Sequence, residues 1–152
     1  MPQYKFRLET LRKVRHARRD ERRLALAEAF RADELLTERQ AELATERSQL
    51  RALQQSAASG QILDVNRLLE AQRYELVLRA RGQEIANQRA LLETETERRR
   101  QALVEADRDV RALDLRDERQ HTEHRRRSLR NENKQLDEIA VQRYVRQSPR
   151  LG

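Results

Sequence analysis

SAASGQ, residues 56–61, is the one interior cluster of turn-forming residues in a chain of 152 that holds only three Gly and two Pro. Long stretches of Ala, Leu, Arg, Glu and Gln flank it, the residues that lose least on entering a helix. One break between two such stretches predicts two long helices, and a short turn makes them antiparallel neighbours. The expected helices cover about 4–57 and 64–145, with a turn near 58–63 and a flexible C-terminal tail. Asp64 is placed to cap the second helix, and Leu63 and Leu68 stand where a hydrophobic staple would form.

Composition agrees. The chain is 39% charged with a mean hydropathy of −1.06, too polar for a compact globular domain, yet its helix formers are not the Pro, Ser and Gly of disorder. Cysteine is absent, which removes disulfides, thiolate nucleophiles and cysteine zinc sites. No apolar run is long enough to span a bilayer and no secretory hydrophobic region opens the chain, so a cytoplasmic, non-spanning protein is expected.

Alternate steps of four and three from Tyr4 pass through Leu8, Leu11, Arg15, Arg18, Arg22, Ala25, Ala29, Ala32, Leu36, Arg39, Leu43, Glu46, Leu50, Leu53 and Ala57. This is a coiled-coil seam interrupted by charge. The same stepping from Leu68 gives Ala71, Glu75, Leu78, Gly82, Ile85, Arg89, Leu92, Thr96, Arg99, Leu103, Ala106, Val110 and Leu113, after which the seam dissolves. Folding about the turn opposes residues whose numbers sum to about 121 and leaves 118–147 without a partner in the chain. The predicted fold is all-α, a long two-helix antiparallel coiled-coil hairpin of modest stability whose helix content rises on binding. A parallel dimer competes with it, because heptads alone do not choose orientation.

Charge is uneven. Residues 1–23 carry nine basic and three acidic side chains, residues 116–152 ten and six, and the middle fourteen and seventeen. A hairpin gathers both termini into one cationic pole. Arg15, Arg18 and Arg22 occupy seam positions there, where charge sacrifices packing, so an external anionic partner is expected. Nucleic acid would suit the arginines, but few aromatics and no recognition motif support it. A membrane surface lacks an aromatic face to receive it. An acidic protein pocket or ring lumen matches the guanidinium fork.

Signals for catalysis are missing: there is no GxxxxGK phosphate loop, and no pocket is expected to orient Ser, His and Asp. His121 and His124, with Asp117 and Glu118 nearby, could share a helical face as metal ligands, but a solvated polar stretch is the favoured reading, and no metal or cofactor is expected. Gly82 at a seam position marks either close helix approach or a neutral lapse. Tyr74, Leu76, Val77 and Leu78, at the same end as Leu43 and Leu50, suggest a contact surface near the tip, unless the register is offset by one residue.

The opening YKFRLETLRKVR resembles the start of FliJ proteins of the flagellar type III export apparatus, through an F-x-L-x-x-L-x-x-x-R pattern met by Phe6, Leu8, Leu11 and Arg15. NRLLEAQRYELVL, 66–78, is similar to the family's post-turn segment, with Asn66, Arg67 and Tyr74 in place, whereas Arg12 replaces a second apolar residue. The resemblance implies a non-enzymatic cytoplasmic stalk at the inner membrane. Its termini would enter a FliI-like hexameric export ATPase through Arg15, Arg18, Arg22, Arg119 and Arg126. Its tip would contact an FlhA-like membrane export gate through Leu43, Leu50, Tyr74 and Leu78, and it would also meet export chaperones. On that reading the cationic seam faces an ATPase lumen and not another helix of the chain. A generic scaffolding coiled coil and a basic nucleic-acid-binding hairpin are the alternatives.

Overall fold

A computed structural model describes residues 3–60 and 62–148, so the expected C-terminal tail beyond 148 lies outside the described residues. Two helices, α1 (Glu9–Ser59) and α2 (Val65–Gln147), pack on each other as an all-α hairpin with no strand among the described residues.

Helix α1 begins at Glu9 and not near residue 4, because the residues before it make tertiary contacts instead. Phe6 is buried, and its carbonyl accepts from the Glu9 N–H at 3.2 Å, closing a turn ahead of the helix. Glu9 then sets a negative charge against the positive end of the helix dipole. At the start of α2, Asp64 caps as its position predicts: its Oδ1 accepts from the Arg67 N–H at 3.2 Å. Leu63, the outer half of the expected staple, remains more than half exposed. Arg146 closes α2 with a cation at the negative end of its dipole.

The chain forms two units, Met1–Arg19 with Ala106–Gly152, and Asp20–Glu105. In the second unit a seven-residue row, Ala29, Leu36, Leu43 and Leu50, is the buried edge of α1, and Leu43 and Leu50 cluster with Leu78, flanked by Ala71 and Ile85. In the first unit Phe6, Ala106 and Val110 are buried. Every seam position read on α2 from Leu68 to Leu113 is buried or half-buried. On α1 the row at steps of seven holds, and Ala25, Ala32 and Glu46 are half-buried as well, but Leu11, Arg18 and Leu53 give way to their neighbours Arg12, Arg19 and Gln54, which are half-buried in their place, and Arg39 is exposed. A helix with one neighbour buries only a narrow strip, so the residues beside the row fall at its edges and polar contacts choose among them.

Gly82 settles as a close approach. A Cβ built there would stand 3.3 Å from Leu43 Cδ2, slightly inside ordinary contact but against the movable end of a side chain. Helix propensity favours Ala over Gly by about 0.8–1 kcal/mol. Gly82→Ala is therefore expected to raise stability by roughly 0.5 kcal/mol, the propensity gain less the shift of Leu43, read as a higher urea midpoint at unchanged slope. A lowered midpoint would show that Leu43 cannot yield.

Candidate functional site

In the first unit the arginines that break the α1 seam meet carboxylates on α2. Arg12 pairs with Asp117 and lies 3.8 Å from Asp114, Arg15 Nη1 donates to Asp109 Oδ2 at 3.0 Å, and His16 Nε2 lies 3.3 Å from Asp114 Oδ1. The expectation that this cationic seam turns away from the chain's own second helix is thus corrected for Arg15. Its guanidinium is held by Asp109, because α2 offers aspartates at the level where α1 offers arginines. The same pairing sets the rotation of α1: with Arg12, Arg15 and His16 inward, the apolar side chains of Leu11 and Val14 are 41% and 57% exposed. The seam did not give way to solvent, since a polar zipper replaced it.

Tyr4 closes this end. Its hydroxyl donates to Asp117 Oδ1 at 2.7 Å and lies 3.2 Å from the Asp117 carbonyl, and its ring centroid stands 5.0 Å from His121, edge-on, and 5.6 Å from His124. The two histidines considered as metal ligands thus pack against an aromatic ring. Among the described residues no group of three or more His, Cys, Asp or Glu is gathered for a metal.

Partial desolvation, then the hydrogen bond and the charge of Asp117, pushes the Tyr4 phenol from 10.0 up to about 12. A raised pKa means that the folded chain holds this proton more tightly than the unfolded chain. The resulting stabilisation is complete below pH 10 and is lost as pH rises through about 12. Tyrosinate absorbance on alkaline titration is expected to show a late step near that pH that Tyr4→Phe diminishes. Because Tyr74 also titrates late, the readout is the amplitude: a late step undiminished in Tyr4→Phe would contradict this placement.

Arg18 is exposed, as are Arg119 and Arg126 on α2, and none of the three makes an ion pair among the described residues. Arg22 belongs to the second unit, where it is half-buried. Of the proposed ATPase contacts, three are thus free cations, one is engaged within the chain and one is partly covered.

In the second unit Leu43, Leu50 and Leu78 lie inside the packed cluster, Leu78 with no exposed surface. Their placement makes them packing residues, so a partner surface at this end must come from other side chains. Tyr74 is 42% exposed, and its hydroxyl donates to Glu46 Oε2 at 2.9 Å. That hydrogen bond, with partial desolvation, raises its pKa. Val77, three residues on, shares the Tyr74 face and is also exposed, whereas Leu76 lies around the helix with Leu69.

Seam charges not singled out from sequence here prove to be cross-braces: Arg99 Nη1 donates to the Ala25 carbonyl at 2.6 Å, and Arg89 Nη1 to Gln40 Oε1 at 2.7 Å. Their recurrence at seam positions was the available signal.

No helix among the described residues is long and apolar enough to cross a membrane. The model of the flagellar FliJ protein family matches residues 4–149. No curated protein and no solved structure gives a match.

Proposed function

The chain belongs to the flagellar FliJ protein family, and from that premise we propose that it is the stalk that couples the hexameric flagellar export ATPase to the membrane export gate. Membership points to a component of the flagellar export apparatus, and a structural role without catalysis is part of the proposal. The coupling role, the individual partners and a peripheral position at the inner membrane are the proposal.

The observation that carries it is the charge of the first unit. Residues 3–19 hold seven basic side chains and one acidic, and Arg18, Arg119 and Arg126 remain exposed and without an ion pair among the described residues after the α2 aspartates have engaged Arg12 and Arg15. A surplus of that kind suits an acidic ring lumen, with Arg15 and, from the second unit, Arg22 as further contacts in the proposal. Near the turn, Tyr74 and Val77 form the gate-facing surface, and export chaperones bind as a further task. Purification of the tagged chain from cells is expected to retain the hexameric ATPase at low salt and release it at high salt; retention of nucleic acid alone would replace this reading with the nucleic-acid one.

The gate surface has its own test. Tyr74→Ala is expected to reduce flagellar protein export several-fold while helicity and ATPase stimulation persist, because Tyr74 contributes one exposed hydrogen bond to the hairpin. Parallel loss of helicity would make Tyr74 a packing residue.

A further inference from the structure

Exposed aliphatic side chains crowd the turn end of the second unit. Ile62 is 87% exposed, and Leu53, Leu63, Val65 and Leu69 are exposed as well. They share no single face. Leu53 lies seven residues beyond Glu46, on the side where Glu46 accepts from the Tyr74 hydroxyl, while Leu69 lies around α2 from Tyr74. Ile62 and Leu63 stand between the helices, in the turn itself. Apolar side chains thus surround the end of the hairpin, and an exposed group of this density in so polar a chain marks a contact surface.

The same end is basic. Residues 47–73 hold four arginines and two carboxylates, although the middle of the chain as a whole is acidic. Arg67 lies 3.3 Å from Asp64 and occupies one carboxylate. Arg51 and Arg73 are exposed and without an ion pair among the described residues, and Glu70 is the carboxylate left to oppose them. Each arginine stands eight residues from the turn end of its helix, Arg51 from Ser59 and Arg73 from Val65. At ~1.5 Å of rise per residue both lie about 12 Å behind the turn, at one level.

We propose that the turn enters an anionic lipid surface end-on, with its aliphatic side chains among the upper acyl chains and Arg51 and Arg73 at the phosphates. A protein docking face covers one side of a rod, whereas a fluid boundary accepts apolar side chains on all sides. Interfacial segments sink about 5–10 Å, to the boundary of headgroups and acyl chains. That depth covers the turn and leaves both arginines at the headgroups, which their long side chains can reach. The backbone N–H and C=O groups of the turn stay within the hydrated headgroup layer, which limits the depth. This contact is independent of the stalk role, whose membrane position comes through protein partners alone.

The chain has no cysteine, so Asn66→Cys beside the turn and Asn131→Cys in the first unit can each carry one environment-sensitive fluorophore on the full-length chain. Both are titrated with phosphatidylcholine vesicles and with vesicles of phosphatidylcholine and phosphatidylglycerol, each holding a nitroxide high on the acyl chain. The Asn66 label is expected to shift to the blue and be quenched on the anionic vesicles, and the Asn131 label to stay unquenched. Ile62→Ser with Leu63→Ser should abolish the quenching. Arg51→Gln with Arg73→Gln should raise the lipid concentration it needs about tenfold or more, and Glu70→Gln should lower it about fivefold. All these side chains are exposed, so circular dichroism of each variant should match wild type.

A silent Asn66 label, or quenching undiminished by Ile62→Ser with Leu63→Ser, overturns the lipid contact and leaves the stalk reading standing, because neither measurement involves the ATPase. Quenching of the Asn131 label alone overturns it in favour of lipid contact at the cationic end. Concentration-dependent self-association abolished by Ile62→Ser with Leu63→Ser overturns it in favour of a second copy. Absent ATPase stimulation by a chain whose Asn66 label still inserts rejects the stalk and keeps the lipid contact.

Discussion

Leu78→Ala is expected to destabilise the hairpin by about 2–5 kcal/mol, the range for deleting a buried leucine side chain. Leu78 has no exposed surface and sits between Leu43 and Leu50, with Ala71 and Ile85 completing the cluster. Among the described residues Val110, in the first unit, is the other large side chain that is fully buried, so little remains nearby to compensate. The loss is a large part of the 5–15 kcal/mol that holds a typical domain together. Far-ultraviolet circular dichroism against urea should show the midpoint falling sharply. The exposed neighbour makes the control: Leu76→Ala, at a side chain 64% exposed, should shift the midpoint little. Equal shifts for the two would contradict the register, since a hairpin slipped by two residues would bury Leu76 in place of Leu78.

That register was readable because the turn residues and the apolar row agree. Ser56–Ser59 still belong to α1, so the break comes only at the end of SAASGQ; Asp64 marks the start of α2, and stepping from Leu68 reaches Leu78 and Val110 through positions that are all buried or half-buried. Leu43 against Leu78 and Tyr4 against Asp117 both keep the opposition expected of a tight turn.

The candidate sites were less legible, for two physical reasons. Stepping along one helix treats an arginine as a break in the seam, whereas Arg15 is satisfied by Asp109, ninety-four residues away, a pairing visible only once both helices are laid side by side. Periodicity also cannot separate a seam leucine from a binding leucine: Leu43, Leu50 and Leu78 were grouped with Tyr74 as a tip surface, yet they serve the core and Tyr74 stays out. Apolar residues resume on α2 at Leu129, beyond the seam that was followed to Leu113, and Leu129 and Leu136 are exposed.

The second large effect is expected at the cationic end, and the structure dictates which arginines to reverse. Arg15→Glu would set a carboxylate against Asp109 and disturb the hairpin along with any partner contact. Arg18→Glu, Arg119→Glu and Arg126→Glu change exposed side chains without ion pairs among the described residues, so helicity should be retained. Each exposed pair contributes about 0.2–1 kcal/mol, and reversal turns three attractions into repulsions. A loss of roughly tenfold to hundredfold in ring affinity follows. Screening over about 8 Å at physiological ionic strength should weaken the wild type most, leaving the variant with a shallower salt dependence.

The most direct test of the stalk is stimulation of the hexameric export ATPase by the full-length chain, titrated at several salt concentrations for wild type and for the Arg18→Glu, Arg119→Glu, Arg126→Glu variant, with duplex DNA as competitor. The account predicts salt-sensitive stimulation by wild type, little by the variant, and no displacement by DNA. Equal stimulation by both proteins, or wild-type binding to DNA alone, would contradict it.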